Sequence, residues 1–223
     1  MAAYGPCAGR RAGFLGGLAV SLVLLIPATC WADLASYFSS AVSGCGGSLT
    51  LTGGGTKPKA RIEYAVFPAG VFGSLFGTAN DPSGGTEYVY AYQLINDDTV
   101  RKLTYFSVAL DSGNGATDIG ELASSTGTSV NGACSFPGTS AVWNYTSSPI
   151  PVSGNSKILL FVSPHDPTWL GATLKGDGGI TSYYSGLQVP SPSQAPEPST
   201  AVILSVAGVC FVLFRSMRLK RSR

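Results

Sequence analysis

Thr86-Glu-Tyr-Val-Tyr-Ala-Tyr-Gln-Leu-Ile-Asn96, then Asp97-Asp98-Thr99, then Val100-Arg-Lys-Leu-Thr-Tyr-Phe-Ser-Val-Ala-Leu110 is the stretch that decides the fold. Side chains alternate between the faces of a strand. Tyr88, Tyr90, Tyr92 and Leu94 therefore share one face of the first run, and Phe106, Val108 and Leu110 share one face of the second. Asn and Asp between the runs are turn formers, because their side chains hydrogen-bond nearby backbone and tolerate left-handed dihedrals. The pattern predicts two strands joined as an antiparallel hairpin.

The same period continues on both sides. Arg61 to Phe67 places Ile62, Tyr64 and Val66 on one face, and Leu49 and Leu51 mark an earlier strand in the Gly/Ser/Thr-rich segment 39–56. Ser140 to Tyr145, Lys157 to Ser163, Trp169 to Leu174 and Ile180 to Tyr184 read as further strands. Ile158 to Val162 is apolar at every position, which predicts a central strand covered on both sides. Apart from a short helical turn over Leu34 to Ala41, no helical period of useful length appears. Short strands at regular spacing with Gly-rich turns predict an all-β protein. An antiparallel β-sandwich of jelly-roll or immunoglobulin-like type is expected, with a barrel as the alternative.

The two ends read differently. Arg10 and Arg11, the apolar run Phe14 to Ile26, and Ala28-Thr29-Cys30-Trp31-Ala32 form a secretory signal peptide over 1–32, cut after Ala32. The exported domain then spans 33–187, and a Pro-rich linker spans 188–198. Residues 199–223 hold an uncharged, mostly apolar run, Ala201 to Phe214, followed by Arg215, Arg218, Lys220, Arg221 and Arg223. Fourteen helical residues rise only about 21 Å, so Met217, Leu219 and snorkelling arginines must extend the span. The basic cluster stays cytoplasmic by the positive-inside rule, which puts everything between the two ends outside.

Pro196-Glu197-Pro198, the short apolar helix and the terminal cation cluster, in that order, resemble the PEP-CTERM sorting signal of exported bacterial proteins. The resemblance covers about the last thirty residues. It implies that an exosortase cuts near Pro196-Glu197-Pro198; at the other end the signal segment itself calls for a signal peptidase. The expected location is the membrane before processing and the cell surface or matrix after it, with exopolysaccharide as a partner. The strands Tyr88 to Asn96 and Leu159 to Ser163 resemble, loosely, the β-domains that such proteins export. Neither resemblance supplies an activity.

Charge and chemistry narrow the middle. Charged residues make up 12% of the 223, about half the usual share, and the net charge is +2. Between Asp33 and Ala195 stand seven basic and eleven acidic residues, so the exported part carries −4 and the positive balance belongs to the ends. With no basic stripe, nucleic acid is not an expected partner. Cys45 and Cys134 are the cysteines left after the ends are removed, and they read as a disulfide or as two free thiols. Tyr88, Tyr90 and Tyr92 read as a cross-strand packing ladder, with a sugar-stacking platform as the alternative.

His165 lies in Ser163-Pro164-His165-Asp166-Pro167, a turn between strands. Neighbours in sequence rarely form a catalytic triad. Asp111 to Asp118, with Glu121 after it, is the best oxygen-ligand cluster for Ca²⁺, but turn chemistry explains the same residues, and Leu122 stands where a helix-flanked calcium loop needs Glu. A surface hydrolase using Asp111, Asp118 or Asp166 would need two of these carboxyls in one cleft. The expectation is a binding or structural protein with no cofactor and no catalytic residue.

Overall fold

The computed structural model describes residues 33–111, 115–178 and 183–192. The signal segment 1–32, the sorting motif Pro196-Glu197-Pro198, the apolar run and the basic cluster lie outside the described residues. No helix among the described residues is long and apolar enough to cross a membrane.

Among the described residues ten strands, paired antiparallel, form two five-stranded sheets. One sheet has the order β1 (Gly46–Leu51), β2 (Ala60–Phe67), β3 (Tyr88–Asn96), β8 (Leu159–Ser163), β5 (Thr117–Glu121). The other has the order β10 (Tyr183–Pro192), β9 (Pro167–Gly176), β4 (Leu103–Ala109), β7 (Ser140–Asn144), β6 (Cys134–Ser135). The main core lies between them. Ile62, Val66, Tyr90, Tyr92, Leu94, Leu159 and Phe161 face Phe106, Val108, Trp143, Leu174 and Val189. Tyr92, Phe106, Trp143 and Phe161 pack with ring centroids 5.7–6.2 Å apart, and each such pair adds about 0.5–1.5 kcal/mol beyond the area it buries. An all-β sandwich is thus the architecture, and the alternation read at Ile62/Val66, at Tyr90/Tyr92/Leu94 and at Phe106/Val108 points inward.

The outer face of the first sheet is buried as well. Ala65, Phe67, Val89, Ala91, Leu160 and Val162 form a second core with Leu34 and Phe72. Leu34 belongs to a 3₁₀ turn, Leu34–Ser40, where the short helical turn was expected. Phe72 belongs to α1 (Val71–Phe76), which the sequence reading missed. Six residues are too few for a helical period to register. α1 is bracketed by Gly70 and Gly77 at φ 77° and 90°, dihedrals that turn the chain out of β2 and back toward β3. Ile158 to Val162 is covered on both sides as expected, with Leu159 and Phe161 in one core and Ile158, Leu160 and Val162 in the other.

The expected hairpin of 86–96 with 100–110 does not exist. β3 pairs with β2 and β8, while β4 pairs with β7 and β9 in the opposite sheet. The reason lies in β3 itself. Val89 and Ala91 are as buried as Tyr90 and Tyr92, so β3 must be an interior strand, flanked on both edges and covered on both faces. The connection is an arch held by side chains. Asn96 Nδ2 donates to the carbonyls of Arg101 (2.8 Å) and Pro151 (2.9 Å). Asp98 Oδ1 accepts from the amides of Val100 (2.8 Å) and Arg101 (2.9 Å). Asn and Asp do turn the chain, but across the sandwich. Tyr92 and Phe106 consequently meet across the core, their rings tilted by 60° at 5.7 Å, instead of side by side in one sheet.

The linker also starts later than expected. β10 continues through Gln188 to Pro192, with Pro190 opposite Trp169 and Pro192 opposite Pro167. β10 is an edge strand, where a residue without an N–H costs least. Val189 enters the core, Ser191 Oγ donates to the Ala109 carbonyl (2.5 Å), and Tyr92 Oη donates to the Pro190 carbonyl. Ile180 to Ser182, the expected start of the last strand, lie outside the described residues.

Candidate functional site

The residues singled out in sequence do not converge. Tyr90 and Tyr92 are fully buried, so neither ring offers a face to a sugar. Burial also pushes both phenols up, well beyond the ordinary range. Tyr88 is half-buried and donates to Asp166 Oδ1 at 2.6 Å, and Tyr90 Oη donates to the His165 carbonyl at 2.7 Å. The 163–167 turn is therefore pinned to β3 by two tyrosine hydroxyls, and the ladder is core packing.

Asp118 lies on a bulge of β5, where the register against β8 shifts, and has φ 51°, which Asp tolerates better than most residues. It lines a cavity with Asp81 and Glu121. Those two carboxylates are already engaged: Asp81 accepts from Ser83 N and Oγ, and Glu121 from Ser129 Oγ and Val130 N. Among the described residues no three His, Cys, Asp or Glu side chains come together closely enough to hold a metal ion. Asp111 opens the same loop, and 112–114 lie outside the described residues.

Cys45 and Cys134 are free thiols. Cys45 sits beside the edge strand β1, where its carbonyl accepts from Val66 N. Cys134 Sγ lies 3.6 Å from the Ile119 carbonyl on β5, the opposite edge of the same sheet. Four strand-to-strand steps separate β1 from β5, roughly 19 Å at the usual spacing. A disulfide needs its Cα atoms within about 7 Å. The expected bridge is thus not formed, and burial raises both thiols.

Two constellations do converge. The first is a polar groove on the outer face of the first sheet, a cavity of about 280 Å³ bounded by Asp33, Arg61, Gln93, Ile95 and Asn155. Gln93, in its wall, is the cross-strand partner of Glu63, and each is 3% exposed. Gln93 Oε1 accepts from Leu34 N (3.0 Å) and its Nε2 donates to the Ser156 carbonyl (3.2 Å). Glu63 Oε2 accepts from Ala35 N (3.2 Å), and Arg61 Nε lies 3.6 Å from Oε1. Burial first, then the hydrogen bond and charge of Asp33, push Glu63 up to about 7, against the pull of Arg61 and the Ala35 amide. Two carboxyls sharing a hydrogen bond stand closer than the 5–9.5 Å or so that glycoside hydrolysis uses. The groove suits a neutral polar ligand or a cation.

The second constellation lies at the end of the sandwich where β3 ends and β10 begins. Gly53, Gly54 and Gly55 all have positive φ and form the tip of the β1–β2 connection. Arg101 Nη2 donates to the Gly55 carbonyl at 2.6 Å, Asp98 Oδ2 accepts from Lys59 N at 2.9 Å, and Tyr184 Oη bridges Gly53 N (2.9 Å) and the Pro58 carbonyl (3.1 Å). Three amides, from Arg101, Lys59 and Val100, hold Asp98 down at about 2. Lys57 Nζ sits 5.1 Å above the Tyr184 ring. Two cavities, of about 480 and 320 Å³, share Lys57 as a wall. The sequence contains each of these residues, but their meeting depends on the strand order, which the hairpin reading had wrong.

Compared with known proteins, the chain matches no family model, no curated protein and no solved structure.

Proposed function

We propose that this chain is an exported bacterial surface or matrix protein, sorted through a PEP-CTERM-type signal and acting by binding. Signal peptidase and exosortase are its processing enzymes. The observation that carries the reading is the ordered tail: Pro196-Glu197-Pro198, then the apolar run Ala201 to Phe214, then five cations without an acid among them. The fold supports it in one respect. β10 holds the chain to the sandwich up to Pro192, so only three residues separate the folded domain from the motif. Eight residues lie between Pro192 and Ala201, and the nine steps span at most about 32 Å. The domain is thus tethered close to the membrane until the cut is made.

The winding of β3 to β8, with β3 against β8 and β4 against β7 as nested antiparallel pairs, favours the jelly-roll over the immunoglobulin-like form. Binding is favoured over hydrolysis because Asp166 is engaged by Tyr88 while Asp118 lies on an edge strand beside carboxylates already bonded internally.

The test is expression in hosts with and without an exosortase, followed by mass analysis of the C-terminus. Loss of the residues beyond the Pro196–Pro198 region in the exosortase host alone supports the reading. An intact C-terminus in both hosts overturns it.

A further inference from the structure

We propose that the loop end of the sandwich farthest from the tail binds an acidic polysaccharide through Lys57, Lys59, Arg101, Tyr183 and Tyr184. This rests on the reading above, which places the domain outside the cell and the tail at the membrane.

Polarity is the first observation. β10 enters at Tyr183, beside Lys57, and leaves at Pro192. Ten residues of strand put these ends about 30 Å apart. The tail therefore departs from one pole, and the loops carrying Lys57 and Arg101 occupy the other. A domain held at a membrane by that tail presents this second pole outward.

Charge is the second. Of the seven cations between Asp33 and Ala195, five stand in or beside these loops: Lys57, Lys59, Arg101, Lys102 and Lys175. Asp97, Asp98 and Asp177 accompany them, which leaves this pole at +2. The other two cations, Arg61 and Lys157, stand only slightly farther along the strands, opposite Ile95 and next to the Ser156–Leu94 bond, and the other eight acids belong to the rest of the domain. An anionic polymer is drawn to the outward pole and repelled elsewhere.

Shape is the third. Tyr183 is 43% exposed and, with Lys57 and Tyr184, lines the smaller cavity. A ring face for a sugar thus adjoins ammonium groups for its carboxylate. The larger cavity runs from Lys57 past Lys59 to Arg101. The Gly53–Gly55 tip leaves it open, since a Cβ at Gly54 or Gly55 would meet nothing within 4 Å. The loops are tied together before any ligand arrives, by Asp98, by the Arg101–Gly55 bond and by Tyr184 Oη, which lowers the ordering cost of binding. Interleaved acids and a −4 domain fit a polymer with one charge per sugar. They do not fit duplex DNA, with one charge per ~1.7 Å.

The experiment uses the full chain in detergent, with polygalacturonate as the probe and neutral dextran and a DNA duplex as comparisons. Polygalacturonate should bind in low salt, weaken as salt rises, and lose at least tenfold in affinity in the K57Q/K59Q variant. Y183A should also weaken it, while E87Q, beside the opposite pole where β3 begins, should not. Unchanged melting of K57Q/K59Q shows that the loss is not unfolding. Equal binding of dextran, tighter binding of DNA, no binding by wild type, or wild-type binding by K57Q/K59Q overturns the proposal. Protease accessibility of the domain on intact cells is scored separately. A domain exposed on cells that binds no polygalacturonate removes this ligand and leaves the export reading standing. A domain that binds the polymer but stays protected in cells does the reverse.

Discussion

Glu63→Gln should make the protein more stable at pH 8 and leave it unchanged near pH 4.5. Glu63 is 3% exposed, faces Asp33 and Arg61, and is held up to about 7 against an ordinary 4.5. Below pH 4.5 the carboxyl is protonated in folded and unfolded chains alike, and its contribution is whole. As pH rises the unfolded chain gives up its proton first, so stability is lost between about 4.5 and 7 and is flat above. The full loss is on the order of 3 kcal/mol. Gln keeps the acceptor for Ala35 N–H and cannot ionise. For a domain of this size the difference at pH 8 amounts to roughly 6–12 °C in melting temperature. Thermal unfolding of both proteins from pH 4.5 to 8.5, followed by tryptophan fluorescence, reads it directly. A wild-type curve flat across that range, or an equal slope in the variant, would refute the assignment. Processing bears on the same group. A chain beginning at Asp33 carries an α-ammonium on the very residue whose side chain is bonded to Glu63. That cation opposes the Asp33 carboxylate and pulls Glu63 down, so the processed chain should show a smaller alkaline loss than a chain with residues before Asp33. Equal losses in the two would separate the amine from the groove.

Asp98→Ala removes the acceptor for the Lys59, Val100 and Arg101 amides and should cost about 2–3 kcal/mol in urea unfolding. Because Asp98 is held down at about 2, its contribution is present above about 3.8 and fades only as pH falls through 2, clear of the Glu63 window. Trp143→Ala empties the centre of the ring cluster with Tyr92, Phe106 and Phe161 and should cost about 3–5 kcal/mol by the same assay; a loss under 1 kcal/mol would contradict the packing. Purified without reductant and then unfolded, the chain should show both Cys45 and Cys134 reactive toward a thiol reagent, with no change in melting on reduction; protection of the pair until reduction would mean the sheet order is wrong.

What the sequence disclosed and what it withheld divide along one physical line. Alternation reports burial of a face, and burial is local to a strand. Ile62/Val66, Phe106/Val108 and the all-apolar run Ile158 to Val162 were therefore legible, and so was the sandwich they imply. Partner choice is not local. β3 and β4 carry complementary apolar faces whether they lie side by side or across a core, and the Asn96–Asp98 turn satisfies its backbone in either arrangement. Only the burial of Val89 and Ala91 on the reverse face decides it, and small or β-branched residues there give a weak signal. Pro190 and Pro192 misled for the same reason, since proline argues against an interior strand and says little about an edge. The two constellations that converge are assembled from partner choice. Glu63 meets Gln93 through the β2–β3 register, and Lys57, Arg101 and Tyr184 meet because the β1–β2 connection, the arch and the start of β10 share one end of the sandwich. Residues gathered from turns far apart in the chain become a site only once the strand order is known. A single sequence without its pairing thus reveals strands more readily than it reveals what their loops do together.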